Sequence, residues 1–378
     1  MIYNWTYDDI KNDLKKIKKI IDDEKDSNKK NYYKYILNRM EEEYSCIFVS
    51  NHLPKLSSQS YMIDLNSEYL MNNRYYEFIN MFNDLLNKND KLFNLCCDKY
   101  LSLKHIDSYM IPDKKCVEMV SDVFTNLDEN FSNIYMNFYK NINTSIKFSK
   151  KLDNIDEDVS DGFNIFISIL NKNYILVRDE LGISKPINLA HECGHVLAIN
   201  YCPENYYNTI NTFFDEIPSL FFELIFEYEY SYKYDSLSTS LFNIEKIYFL
   251  EDSTDKILLH DCIVEEWKNN NYEVNNNLLN ILNNKYKINR NDFLNIIKSS
   301  ICTNGKYIIG YVTALNLFHI YKQDKNEAFK LLRTLLKLQY KDSYLLINQI
   351  INYDYINEEV YTLLKTASED VQKKLTLK

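Results

Sequence analysis

Glycine and proline are scarce, with five of each in 378 residues, far below ordinary usage. That scarcity excludes a collagen-like chain and argues against a turn-rich all-β fold, and points to long helices with few tight turns. No stretch of 18 apolar residues occurs, so no membrane span is expected. The N-terminal run MIYNWTYDDIKNDLKK lacks the apolar core of a signal peptide. The eight cysteines, Cys46, Cys96, Cys97, Cys116, Cys193, Cys202, Cys262 and Cys302, form no CxxC pair and no regular framework, so free buried thiols in a reducing compartment are expected and the protein is placed in the cytoplasm. Net charge is −10, which disfavours a nucleic-acid partner and favours neutral or cationic ligands.

All five glycines, Gly162, Gly182, Gly194, Gly305 and Gly310, lie between 162 and 310, and Pro186, Pro203 and Pro218 fall in the same region. A chain that avoids these residues keeps them where backbone shape or close packing demands them. The 33 tyrosines read as compositional bias, so each one is taken first as core packing.

Ile10, Leu14, Ile17 and Ile21 follow the helical period, with the intervening lysines and aspartates as a wet face. Tyr33, Ile36, Leu37, Met40, Tyr44 and Ile47 predict a second helix, residues 66–103 two more, and Pro112-Asp113 opens a helix carrying Val117 through Phe138. The acidic stretch Asp153 to Asp161 lacks the ligand alternation of a calcium loop and reads as a solvated loop. Ile165–Ile169 and Tyr174–Val177, joined by a turn over Leu170–Asn173, predict a β-hairpin. Helices are then expected over roughly 187–200, 205–231, 236–250, 253–269, 290–301, 306–323, 326–339 and 356–375.

The chemistry is carried by His191-Glu192-Cys193-Gly194-His195, an instance of HExxH. On a helix His191 and His195 share a face one turn apart and can present two imidazoles to one ion, with Glu192 beside it as general base. A bare five-residue pattern also arises by chance on surface helices, so context decides. Downstream, in Phe213 to Glu223, Glu216 and Glu223 lie seven apart on one helix face. Glu216 is the candidate third ligand, with Asp215 as its competitor. Glu223 is the candidate acceptor for the outer nitrogen of a ligand histidine. Their apolar surroundings argue against two solvated carboxylates.

These residues together, HECGH followed by Asp215-Glu216-Ile217-Pro218-Ser219 and Glu223, resemble the thimet oligopeptidase family of zinc peptidases, with oligopeptidase F as the closest branch. The resemblance covers roughly 105–378, read as the catalytic region, with 1–104 as a reduced N-terminal helical region. It implies a mainly α, zincin-like fold with a small hairpin beside the active-site helix and a deep cleft. It implies one zinc ion on His191, His195 and Glu216, Glu192 as base, and Glu223 supporting a ligand histidine. Gly162–Val177 is similar to the family's hairpin, whose edge strand holds a peptide by strand addition. Lys306–Leu315 resembles the tyrosine-rich helix facing zinc, which implies that Tyr311, and less directly Tyr307, stabilises the oxyanion, and that Gly305 and Gly310 let this helix approach the zinc helix. Phe329–Leu375 is similar to the C-terminal helices.

Two departures stand out. Ser299–Asn304 contains no counterpart of the family's upstream oxyanion histidine, and His260 reads as structural. The N-terminal lobe is short, implying a more open cleft. The expected activity is hydrolysis of short peptides by a zinc metalloendopeptidase. A dedicated processing peptidase for one peptide or leader, and a zinc-containing peptide binder with weakened catalysis, remain the alternatives. The expected partner is a peptide, with neither nucleic acid nor membrane.

Overall fold

The structure is a computed structural model that describes residues 6–43, 75–103, 109–141, 145–150, 162–202, 216–271, 273–298, 301–338 and 340–376. Its helices are α1 (Tyr7–Asp23), α2 (Ser27–Glu43), α3 (Tyr75–Lys88), α4 (Asp90–Leu103), α5 (Asp113–Phe124) and α6 (Glu129–Tyr139). Three strands follow, β1 (Ile146–Ser149), β2 (Gly162–Ile167) and β3 (Lys172–Arg178). Then come α7 (Ser184–Tyr201), α8 (Glu216–Phe226), α9 (Ser236–Asn269), α10 (Asn276–Tyr286), α11 (Arg290–Lys298), α12 (Ile301–Gln323), α13 (Lys325–Lys337), α14 (Tyr340–Ile350) and α15 (Tyr353–Thr376). The fold is mainly α with one small sheet, as the composition predicts. No described helix is long and apolar enough to cross a membrane. No disulfide joins the described cysteines, although Cys262 is exposed rather than buried.

The sheet has the order β1-β3-β2. The expected hairpin is present, pairing Gly162 with Val177 through Ile167 with Lys172. Its connection differs from a simple turn: a 3₁₀ turn, Ser168–Leu170, leads into Asn171 at φ 48°, a conformation asparagine tolerates. β1 adds a parallel neighbour to β3 that four residues of sequence did not announce. β3 is the central strand and is apolar on both faces. Ile175 and Val177 join the main helical core, while Tyr174 and Leu176 pack with Ile10, Ile17, Ile21 and Leu37 of α1 and α2. Asp13, expected on the wet face of α1, is buried instead. The hairpin covers it, and it accepts hydrogen bonds from Lys172 Nζ at 2.7 Å and the Tyr174 hydroxyl at 2.5 Å.

Other boundaries moved for local reasons. The single helix expected after Pro112 is two, because the Asp128 carboxylate caps a new start by accepting from Phe131 N–H at 3.0 Å. The two helices expected over 236–250 and 253–269 are one. The polar stretch between them holds no proline or glycine to stop the helix, and the Thr254 hydroxyl is satisfied by the Leu250 carbonyl at 2.9 Å. α10 and α14 are further helices beyond those expected, although Leu278 and Leu282 of α10 lie one turn apart and are buried. The helix expected over 205–231 is described only from Glu216, and continues through a π turn, Glu227–Ser231, to a last helical turn, Tyr232–Tyr234. The beginning of that helix, the acidic 153–161 stretch, residues 66–74, and Ser299 and Ser300 lie outside the described residues.

The site is positioned by a stack of buried helices. α7 lies between the sheet and α8, and α8 lies between α7 and α12. Every residue of α8 is buried, as expected of a helix apolar on all sides. Pro186 falls in the first turn of α7, where a missing N–H costs no helical bond.

Candidate active site

His191 and His195 sit on adjacent turns of α7, their ring centroids 5.1 Å apart. Glu216 opens α8 and points at both: its Oε2 stands 3.3 Å from His191 Nε2 and 3.5 Å from His195 Nε2. Among the described residues these three form a group able to hold a metal ion. Two atoms each bound ~2.0–2.1 Å from one tetrahedral ion stand about 3.3–3.4 Å apart, so the spacing fits a shared ion. His191 Nδ1 lies 2.8 Å from Glu223 Oε2. With Nδ1 donating to that carboxylate, Nε2 is the ring nitrogen that faces Glu216. Asp215, the competitor to Glu216, lies outside the described residues.

Close approach of α7 and α8 makes this convergence possible. A Cβ on Gly194 would lie 2.7 Å from Ser219 Cα and 3.2 Å from the Pro218 carbonyl oxygen. Gly310 performs the same service between α12 and α8, with Glu216 Cβ at 2.8 Å. This corrects the expectation that α12 approaches the zinc helix: it packs on the helix bearing Glu216.

Glu192 is buried beside the group, its Oε1 2.9 Å from where a Gly162 Cβ would stand. Its Oε2 is buried without a hydrogen-bond partner among the described residues. Burial raises its pKa, against the pull of His195 and His191. Burial also works against ionisation of Glu216, but Lys306, His195 and the imidazole hydrogen bonds hold that carboxyl well below the usual range. Cys193 is buried and its thiol is pushed up by desolvation, which leaves it a poor nucleophile.

Two residues unannounced by the motif enter the site. Lys306 Nζ donates to Glu216 Oε1 at 2.6 Å. Lys246 of α9 forms an ion pair with Glu223 Oε1 and stands 3.5 Å from Glu227 Oε1. Lys306 lies one turn before Gly310, on the α12 face that meets α8, a face that only the packing of Gly310 on Glu216 identifies. Lys246 carries no sequence signal, because its role depends on how α9 crosses α8.

The tyrosines divide. Tyr307 is half-buried, its ring 4.9 Å from Lys306 Nζ and edge-on to Phe249 at 6.0 Å. Tyr311 is fully buried against Phe82, ring centroids 6.5 Å apart. Its hydroxyl finds no partner among the described residues. Burial drives its pKa up, and the titratable groups acting on it are Glu227, Tyr232 and Glu359 rather than the metal-binding group. At about 100° per residue, Tyr311 points about 140° around the helix from Lys306. The structure therefore does not bring it together with His191, His195 and Glu192. His260 is buried in the core, where desolvation lowers its pKa to about 4.

No protein-family model and no curated protein matches the sequence. Solved structures do. A candidate peptidase from Chlamydophila abortus superposes with a TM-score of 0.53 at 13% identity, covering 78% of this chain and 55% of that one. A candidate oligoendopeptidase F from Bacillus anthracis strain Ames gives 0.52 at 12% identity, covering 89% and 63%. PZ peptidase A with an inhibitor gives 0.50 at 13% identity, covering 95% and 71%. The chain thus spans little more than half the length of the first of these structures, and the fold it shares is that of peptidases including oligoendopeptidase F-like proteins.

Proposed function

We propose that the protein is a zinc-dependent endopeptidase acting on short peptides, with His191, His195 and Glu216 as metal ligands. The observation that carries this reading is the spacing of Glu216 Oε2 from the two Nε2 atoms, 3.3 and 3.5 Å, with the Glu192 carboxylate alongside. The chemistry a zinc ion supplies in such a site is Lewis-acid polarisation of a water and of the scissile carbonyl.

The chain's own groups do the rest. Glu192 Oε2 takes the proton of the attacking water and passes it to the leaving amine. Its burial suits a base with a raised pKa, and Gly162 leaves room for the carboxylate to swing between the two tasks. Glu223 orients His191 through Nδ1, and Lys246 anchors Glu223. β2, the last strand in the sheet order, begins at Gly162 beside Glu192. A peptide adding to it as a further strand meets the base at that end.

The test is hydrolysis of quenched fluorescent peptides alongside zinc content. Glu192→Gln should retain one zinc per chain and lose turnover. Wild-type turnover in that variant, or a wild-type protein that binds zinc and cleaves nothing, refutes the proposal. A mixed peptide library should be cleaved broadly, whereas cleavage of a single member supports the dedicated processing peptidase.

A further inference from the structure

We propose that Lys306 is the oxyanion-stabilising residue of this site, the part that the family resemblance gives to a tyrosine. The inference rests on the peptidase reading above.

Three observations carry it. First, the group expected there is elsewhere: the Tyr311 hydroxyl is enclosed in the core, and helical geometry turns it away from Glu216. Second, Lys306 occupies the α12 face that meets the site. Its Nζ is 2.6 Å from Glu216 Oε1, on the oxygen opposite the one that faces the two histidines. An ammonium has three donors in tetrahedral array, so a bond to Glu216 is compatible with a second to a developing oxyanion. Third, Lys306 is among the solvent-accessible side chains of the site. The side chains of His191, His195 and Lys306 are 17%, 19% and 25% exposed, while that of Glu216 is 3% exposed. The accessible part of the site is thus two imidazoles and one ammonium, with the carboxylates behind them. Its charge also bears on both Glu192 and Glu216, which places the cation within electrostatic reach of base and ligand alike.

A fixed cation where negative charge develops favours the transition state over the neutral amide. Lys306 is then a catalytic residue that contacts the substrate carbonyl oxygen as it becomes tetrahedral. Its bond to Glu216 holds the flexible side chain in place beforehand, and the ring of Tyr307 lies 4.9 Å from its ammonium nitrogen.

The experiment compares wild type, Lys306→Met and Lys306→Arg for zinc affinity, kcat and KM. It also measures affinity for a phosphinic peptide, whose tetrahedral phosphinyl oxygen imitates the oxyanion. Measured on zinc-loaded protein, Lys306→Met should lose about 10²–10³-fold in kcat with KM changed only a few-fold, beyond any loss of zinc affinity that follows from removing the hydrogen bond to Glu216. Phosphinic-peptide affinity should fall in parallel with kcat, and Lys306→Arg should recover part of both. The proposal is overturned if kcat is unchanged. It is equally overturned if zinc affinity falls as far as kcat while the zinc-loaded variant binds the phosphinic peptide like wild type, because Lys306 then only positions Glu216. Turnover that survives Lys306→Met but not Glu192→Gln sinks this assignment and leaves the peptidase reading intact. A wild-type protein that neither cleaves peptides nor binds the phosphinic peptide sinks both.

Discussion

Replacing Gly194 by alanine should damage stability and metal affinity together. The added methyl would stand 2.7 Å from Ser219 Cα, 3.2 Å from the Pro218 carbonyl oxygen and 3.3 Å from Phe222 Cβ. Carbon atoms pack at about 3.5–4.0 Å, so α7 and α8 must part by roughly 1 Å. The obstructing atoms are backbone or Cβ and cannot rotate aside. Overpacking of this kind costs about 1–3 kcal/mol, which lowers Tm by roughly 1–4 °C in a chain of this size. The same parting acts on the neighbouring ligands. His195 Nε2 and Glu216 Oε2 are 3.5 Å apart, and an ion with bonds of ~2.0–2.1 Å spans at most about 4.1 Å, with both bonds in line. A full 1 Å separation exceeds that limit, so zinc binding must rebuild the site. Affinity should fall at least tenfold. Calorimetry of metal-free protein reads the first effect, and chelator competition reads the second. Gly194→Ala with unchanged Tm and unchanged zinc affinity would refute the packing argument.

Other perturbations separate the site's parts. Lys246→Met should weaken zinc binding about 10–100-fold by loosening Glu223 beneath His191, with Lys246→Arg close to wild type; equal zinc affinity in all three removes Lys246 from the site. Tyr311→Phe deletes a buried hydroxyl that has no described partner, so hydrolysis should continue at near wild-type rate and stability should hold or rise by about 1 kcal/mol. A 10²-fold loss would return the oxyanion role to Tyr311. Burial pushes Glu227 up to about 8, so the folded state holds its proton above the range where the unfolded chain releases it. That contribution to stability is complete below about 4.5 and is lost as pH rises through about 8. The fall in Tm over this window should be smaller in Glu227→Gln, and an identical pH profile for the two proteins argues against a neutral Glu227.

Legibility in the sequence followed locality. His191, Glu192 and His195 lie within one and a half turns of a helix, and Glu216 and Glu223 lie on one face of the next. Helical period alone therefore brings each set together, and the structure adds only the angle between α7 and α8. The hairpin was readable from its β-branched runs. What escaped depends on long-range packing. Asp13 looked solvated because nothing in α1 reveals the hairpin lying over it. Lys246 and Lys306 approach the carboxylates from helices far along the chain, and their side chains look like ordinary surface charge until α9 and α12 are laid across α8. Tyr311 shows the converse. One residue's shift around α12 separates a group that faces the site from one enclosed in the core, and only the packing of Gly310 on Glu216 reveals which face of the helix is which.

The central claim is a zinc ion shared by three named atoms. Crystals grown with zinc and measured across its absorption edge test it directly. A single strong anomalous peak is expected about 2.0–2.1 Å from His191 Nε2, His195 Nε2 and Glu216 Oε2. A peak elsewhere, or none in zinc-saturated crystals, would contradict it.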